Sequence, residues 1–368
     1  MAIWHYFALF HLVWGAGICF WWHRVFKNGF DYILKEDQEY AKKFAPFRRT
    51  DLLKWNRLEI YICATFLLPS RALGSLIFTL MAGICNTIIV LGADLNKELS
   101  PVRRTLVRVN SYLFPRLIFW CWGFYWIEKK YHRIADLDPT YPKDQKNPSI
   151  KAPVIVSNHI SFIDIVYYLT SRYCPGFLSK AGVAKVPIVG KIAKARQSLF
   201  VERADRTQKD AILDDLKRRV EDIAAGKPYP PILIYPEGTT ADGKNIITFK
   251  KGAFCTFAPV RIMVLQYPKE TFSPAYDNLD FHVIFLGMLS QFYNRIIVND
   301  CGIYDPSHLN LKEESDWVRY AEKVRAIMCK CIGATPYDIG FQEKNEYYGY
   351  SAKFRKQLRE AAKQKKTE

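Results

Sequence analysis

His159 and Asp164 stand five residues apart in "VSNHISFIDIVYY", residues 156–168, directly after an apolar run. An imidazole held by a carboxylate is a general base: the acid fixes one ring nitrogen and leaves the other to take a proton near neutral pH. Two residues five apart within one helix point about 140° away from each other. The pair therefore works only if His159 precedes a helix and Asp164 lies in its first turn. The pattern predicts that arrangement, with a strand at 153–157, a break at Asn158-His159, and Ser161 as N-cap of a capping box closed by Asp164. Taken alone, a capped helix beside an unrelated histidine explains the stretch more simply.

Three further stretches sit at predicted strand ends, where α/β sheets place ligands. "SLFVERADR" puts Arg203 after a strand, as a cationic fork for phosphate or as a salt-bridge partner of Glu202 or Asp205. "PILIYPEGTT" ends a buried strand at Pro236 and exposes Glu237, Gly238 and Thr239. Gly238 would let backbone N–H groups approach an anion, Thr239 adds a hydroxyl, and Glu237 could accept from a substrate hydroxyl. "FAPVRIMVLQY" carries Pro259 just before an apolar strand.

Taken in order, these four blocks resemble the glycerolipid acyltransferase family, which comprises glycerol-phosphate, lysophosphatidate and lysophospholipid acyltransferases. "VSNHISFIDI", "YPEGTTADGKNIITFKKGAF" and "APVRIMVLQYP" look most like its lysophosphatidylcholine and lysophosphatidylethanolamine branch. The resemblance covers roughly 60–340 and is strongest over 150–268. It implies a membrane-bound α/β enzyme that moves an acyl group from acyl-CoA to the free glycerol hydroxyl of a lysophospholipid. His159 is then the base, Asp164 its orienting acid, and Arg203, Glu237, Gly238 and Thr239 the acceptor and phosphate contacts. Asn158, Ser161 and Pro259 support them. Lys180, Lys185, Lys191 and Lys194 are candidates for the CoA phosphates, though a solvated helix face explains them equally well. Acyl-CoA is a co-substrate, and no bound cofactor or metal is expected, because a thioester is already activated. Two departures bear on substrate preference. Gln197-Ser198 stand where the family usually has a glycine, and "KAGVAKVPIVGK" lacks the acidic residue often found after its first lysine. Related animal enzymes append EF-hands; no Ca²⁺-loop pattern is present, so no calcium regulation is expected.

The elements that must position these residues follow from texture. From 131 to 340, short apolar runs alternate with amphipathic helices, clearest at 206–225 and 313–331. Strands are predicted at 153–157, 176–179, 198–202, 231–235, 260–266 and 295–303. The fold class is α/β, a mixed sheet flanked by helices and preceded by N-terminal membrane helices. Residues 6–22, "YFALFHLVWGAGICFWW", carry no formal charge and read as a short span, with the basic loop to residue 57 on the cytoplasmic side. Residues 58–92 are apolar but broken by "LLPSRALG", which predicts two short helices dipping into one leaflet, with a single span over 72–92 as the alternative. Residues 106–127 read as an interfacial amphipathic helix. The expected division is 1–57, 58–130, 131–340 and a basic tail at 341–368, the tail being solvated or a docking segment for a membrane-complex partner.

Composition narrows the partners. The 368 residues carry a net charge of +17, which suits an anionic partner. Paired Cys/His fingers, ribonucleoprotein-type aromatic motifs and helix-turn-helix signatures are absent, so no nucleic acid partner is expected. The nine cysteines show neither Cys-x-x-Cys nor zinc spacing and read as free thiols in a reducing compartment. The endoplasmic reticulum is the family's usual membrane and a mitochondrial membrane the alternative. A thioesterase using water as acceptor and a structural subunit of a larger membrane complex are the competing readings; the lack of Gly-x-Ser-x-Gly argues against a serine esterase.

Overall fold

A computed structural model describes residues 2–28, 35, 37–95, 97–142, 152–201 and 206–367. Among the described residues nine strands run in chain order: β1 Ile127–Tyr131, β2 Val154–Ser157, β3 Gly176–Lys180, β4 Leu199–Val201, β5 Ile232–Ile234, β6 Asn245–Ile247, β7 Val260–Gln266, β8 Ile296–Tyr304 and β9 Thr335–Tyr337. The principal helices are α1 Ala2–Asn28, α2 Arg57–Phe66, α3 Leu68–Ile89, α4 Pro101–Cys121, α5 Phe162–Thr170, α6 Val189–Ala195, α7 Arg206–Ala224, α8 Phe281–Leu289, α9 Trp317–Ile332 and α10 Phe341–Thr367. Seven strands form one sheet in the order β1-β8-β7-β2-β5-β3-β4. β7, β2, β5, β3 and β4 are mutually parallel, whereas β8 is antiparallel to β7 and carries β1 parallel to itself. The sheet is therefore mixed, as expected.

Period-two alternation sorts the strand side chains onto two layers. Ile155, Met263 and Leu265 face a core built with α1, α2, α4, α5 and α8. Val154, Val156, Ile262 and Val264 face the opposite core, closed by α7 and α9. All six predicted strands are present; β1, β6 and β9 were not foreseen. β1 is the "IEKKY" edge strand with little burial, and β6 and β9 pair only with each other. Neither gives an apolar run to read.

The elements before the sheet differ from expectation in three places. The chain breaks at Leu67, not over 69–74, and Leu68–Ile89 is one helix with Pro69 in its first turn. Proline's missing N–H has no intrahelical partner to lose there. Among the described residues α3 is the one helix long and apolar enough to cross a membrane. Residues 6–22 lie within the longer α1, which packs on α2: Trp14 Nε1 donates to the Ala64 carbonyl at 2.9 Å. The amphipathic helix begins at Pro101 and ends at Cys121, short of the predicted 127. α1, α3 and α4 each leave large apolar side chains in the open, among them Leu9, Leu12, Leu76, Ile84, Leu106 and Leu113.

The basic tail is helical, but its first half is docked. Tyr347 is fully buried against Phe44 and Phe47, and the Lys344 side chain is buried as well. The spacing of these two among charged residues gave no apolar periodicity to announce a packed face.

Candidate active site

β2 ends at Ser157, and the chain turns before α5 begins at Phe162. That turn puts His159 ahead of the helix and Asp164 in its first turn. His159 Nδ1 lies 2.9 Å from Asp164 Oδ2. The same carboxylate oxygen accepts the backbone N–H of Ile160 at 2.6 Å and of Ser161 at 2.9 Å, and Oδ1 accepts the Tyr267 hydroxyl at 2.6 Å. Asp164 is fully buried, while the His159 side chain stays 18% exposed. Nε2 has no protein partner among the described residues. The imidazole stacks on Tyr235, with centroids 4.0 Å apart and planes 12° from parallel. Its plane, one nitrogen and its exposure are thus all set.

The capping box is present in part. Ser161 gives its backbone N–H to Asp164, but its hydroxyl is buried without a partner. Asn158 clamps the end of β2 to β7: Nδ2 donates to the Leu265 carbonyl at 2.9 Å, and Oδ1 accepts the Leu265 N–H at 2.8 Å.

Glu237 does not reach outward as expected. Its side chain is buried; Oε1 accepts the His159 backbone N–H at 2.9 Å and Oε2 accepts that of Ile247 at 3.3 Å. Burial pushes its carboxyl up to about 8, against the pull of those two N–H groups. It organises the His159 turn. Gly238 has φ +68°, which a side chain rarely adopts, and an added Cβ would sit 2.9 Å from the Lys250 side chain. Its N–H donates to the Tyr235 carbonyl at 3.0 Å and is not available to an anion. Thr239 is half-buried, and neither its N–H nor that of Thr240 has a backbone acceptor among the described residues. Ala241 N–H donates to the His159 carbonyl at 2.9 Å and brings this turn beside the histidine.

Pro259 is misplaced in the sequence reading. β7 runs parallel to β2, with Val260 beside Val154 and Met263 beside Ser157. Pro259 therefore lies at the opposite end of the sheet from His159. The residue this block brings to the site is Tyr267, just past the other end of β7; a tyrosine following "MVLQ" was its only signal. Lys180, Lys185, Lys191 and Lys194 are all exposed, on β3, the following 3₁₀ turn and α6. Arg203 lies outside the described residues. Gln197, at the position usually glycine, has φ +55°, the left-handed conformation that glycine adopts without strain. Its side chain donates to the Lys97 carbonyl at 2.6 Å.

A second ring of contacts was invisible in the sequence. Tyr276 N–H donates to the Ile160 carbonyl at 2.8 Å, and the Thr240 hydroxyl donates to the Tyr276 carbonyl at 2.6 Å. Arg49 holds that loop through Asp277 at 2.8 Å and the Ala275 carbonyl at 2.8 Å. From α10, Lys344 donates to the Thr240 carbonyl at 2.7 Å.

A mixed α/β sheet with a His–Asp pair at the carboxyl end of a central parallel strand is the class of site on the page. Residues 140–266 match the family model described as Acyltransferase. The chain is 29% identical over 353 residues to the lysophospholipid acyltransferase LPEAT1 of Arabidopsis thaliana, covering 84% of this chain and 87% of that one. It is 28% identical over 316 residues to the lysophospholipid acyltransferase LPCAT4 of Xenopus tropicalis, covering 83% and 56%. It is 26% identical over 292 residues to the lysophosphatidylcholine acyltransferase of Drosophila melanogaster, covering 77% and 51%. The chain thus spans most of the plant relative's length and about half of these two animal ones. The crystal structure of the 1-acyl-sn-glycerophosphate acyltransferase PlsC from Thermotoga maritima is similar at 20% identity and a TM-score of 0.43, over 75% of this chain and 94% of that chain. The resemblance drawn from the four blocks is borne out: residues 140–266 match the Acyltransferase family model, and the chain is similar over most of its length to relatives named lysophospholipid acyltransferases.

Proposed function

We propose that this protein transfers a fatty acyl group from acyl-CoA to the free glycerol hydroxyl of a lysophospholipid, with His159 as general base. The observation that supports it most is the His159–Asp164 contact of 2.9 Å, with Asp164 held by three further donors and Nε2 left outward. The acceptor hydroxyl stands where a serine stands in a Ser-His-Asp triad. Nε2 takes its proton as the oxygen attacks the thioester carbonyl. Asp164 keeps the proton on Nδ1 and stabilises the imidazolium. The carbonyl oxygen gains charge and needs N–H donors. The 158–161 turn has committed its Ile160 and Ser161 amides to Asp164, so the Thr239 and Thr240 amides are assigned this task. Collapse expels the CoA thiolate, which receives the proton from His159. Arg203 is assigned to the acceptor's phosphate, and Lys180, Lys185, Lys191 and Lys194 to the CoA phosphates. The apolar faces of α1, α3 and α4 seat the enzyme on the membrane that holds both lipid substrates.

The test is full-length protein in detergent with one labelled acyl-CoA and a panel of lysolipid acceptors. Labelled diacyl product should form, and His159→Ala should lose about 100- to 10,000-fold in kcat while retaining its melting temperature. Acceptor-independent release of CoA as fast as transfer would identify a thioesterase instead. Near-full transfer by His159→Ala would overturn the mechanism.

A further inference from the structure

At the end of the sheet opposite His159, a cavity of about 570 Å³ opens between α4 and the loops that lead into β3, β4 and β5. Strand direction fixes its place. Ala152, Cys174, Gln197 and Pro231 line it, and each precedes a strand, whereas His159 and Glu237 follow theirs. No residue of the His159 site lines it. Its volume falls within the roughly 300–1,000 Å³ of small-molecule sites.

The lining is divided in character. Leu99, Val107, Ile155, Ile223 and Ile303 supply apolar wall. Arg104, Arg108, Arg196, Lys227 and Arg261 supply positive charge, and among the described residues no aspartate or glutamate lines the cavity. Two of these cations are neutralised from outside it: Lys227 pairs with Asp222 at 2.7 Å and Arg261 with Asp300 at 2.8 Å. The Arg104 side chain donates to the Leu99 carbonyl at 2.9 Å and has no ion pair among the described residues. Arg108 is exposed and has no ion pair among the described residues.

Arg196 is the residue that points to a ligand. It is 2% exposed. Nε donates to the Pro175 carbonyl at 2.9 Å and Nη2 to that of Tyr168 at 3.3 Å. Nη1 is buried with no oxygen acceptor among the described residues, and the guanidinium meets the Cys174 side chain besides these two carbonyls. A buried guanidinium N–H left unpaired is costly, and a ligand anion would satisfy it. Cys174 and Gln197, on the same lining, have φ values of +46° and +55°. Non-glycine residues hold such conformations where the surroundings force them, often at ligand sites.

We propose that this cavity is a second ligand site, for a phosphate-bearing ligand whose phosphate meets Arg196, Arg104 and Arg108 while its apolar part lies along Val107, Ile155 and Ile223. Guanidinium forks match phosphate oxygens in pairs. A lipid phosphate is the source the surroundings favour. α4 supplies Arg104 and Arg108 and also exposes Leu106, Val109 and Leu113, so the cavity borders the apolar surface of the chain. The site does not depend on the proposed acyl transfer.

The test uses the full chain carrying His159→Ala in detergent, so that binding is read without turnover. Dodecyl phosphate, inorganic phosphate and dodecanol are titrated by calorimetry. Dodecyl phosphate should bind, and dodecanol should not. Arg108→Ala should weaken dodecyl phosphate about tenfold, as expected for one charge-assisted contact. Arg108 is exposed and unpaired, so this variant should fold normally. Ile223→Trp, which fills the cavity, should abolish binding. Inorganic phosphate matching dodecyl phosphate, with the same dependence on Arg108, would assign the site to a soluble phosphate. Dodecyl phosphate binding equally to all variants, or to none including the parent, would overturn the proposal.

Discussion

Asp164 receives four donors, and only one of them is His159. The Tyr267 hydroxyl at 2.6 Å withdraws charge from the carboxylate that faces the imidazole. Tyr267→Phe removes that bond without removing the ring. Asp164 is then held by three donors and grips the imidazole less firmly. The variant should lose about tenfold or less in kcat with its melting temperature kept. An unchanged kcat would reduce Tyr267 to packing. Glu237 makes a different prediction. Its folded pKa is about 8 against an ordinary 4.5. The folded protein therefore holds a proton that the unfolded chain releases between those values. The resulting stability is complete below about 4.5 and is lost as pH rises through about 8. Melting temperatures of wild type and Glu237→Gln, measured from pH 5 to 8.5, should show the wild-type advantage shrinking as pH rises. An advantage that stays constant over this range would mean that Glu237 is ionised throughout.

At the scale of elements, Arg71 joins α3 to the segment that follows α8. In the fold it is 6% exposed and donates to the backbone carbonyls of Leu289 at 2.7 Å, Gln291 and Phe292 at 3.0 Å, and to the Tyr125 hydroxyl oxygen at 2.7 Å. The C-terminal end of α8 offers orphan carbonyls, and a guanidinium meets several at once. Arg71→Leu leaves these acceptors buried and unpaired, at about 1–3 kcal/mol each before relaxation. The variant should lose about 3 kcal/mol or more by chemical denaturation. Arg71→Lys should recover only part of this, since an ammonium lacks the planar fork. A loss below about 1 kcal/mol would show that packing alone, not this bond set, joins α3 to α8.

At the scale of the whole molecule, both ends of the 58–92 segment rest on the same domain. Before it, Arg49 is tied to Asp277; after it, the Lys97 carbonyl accepts from Gln197. Between them α3 packs along α4 and α6, and an added Cβ at Gly83 would collide with the Ile188 side chain. A helix in contact with the domain at both ends lies along it, with Leu76, Leu80 and Ile84 facing outward. We expect the segment to enter and leave the membrane on the catalytic side. Single cysteines at Leu53 and Lys97, both exposed, in a variant without other reactive thiols should label from the same face of sealed vesicles. Trp55 is buried and unsuitable for this measurement. Labelling from opposite faces would make α3 a span.

What the sequence determined by itself is local. Apolar runs bounded by turn residues marked the six strands at 154–304, because a buried parallel strand needs a continuous apolar stretch. The spacing of His159, Ser161 and Asp164 marked the turn before α5, because only a residue ahead of the helix can meet one in its first turn. Contacts between distant segments had no such signature. Glu237 was legible as a strand-end acid, yet its direction depends on where the His159 and Ile247 amides lie, 78 and 10 residues away. Tyr267, Arg49 and Lys344 reach the site from 103, 228 and 104 residues from the groups they bind. Pro259 was assigned to the wrong end because strand direction is a property of the assembled sheet. The tertiary structure alone decided these points, since a buried polar side chain points wherever unpaired backbone groups collect, and that is fixed only when the chain has packed.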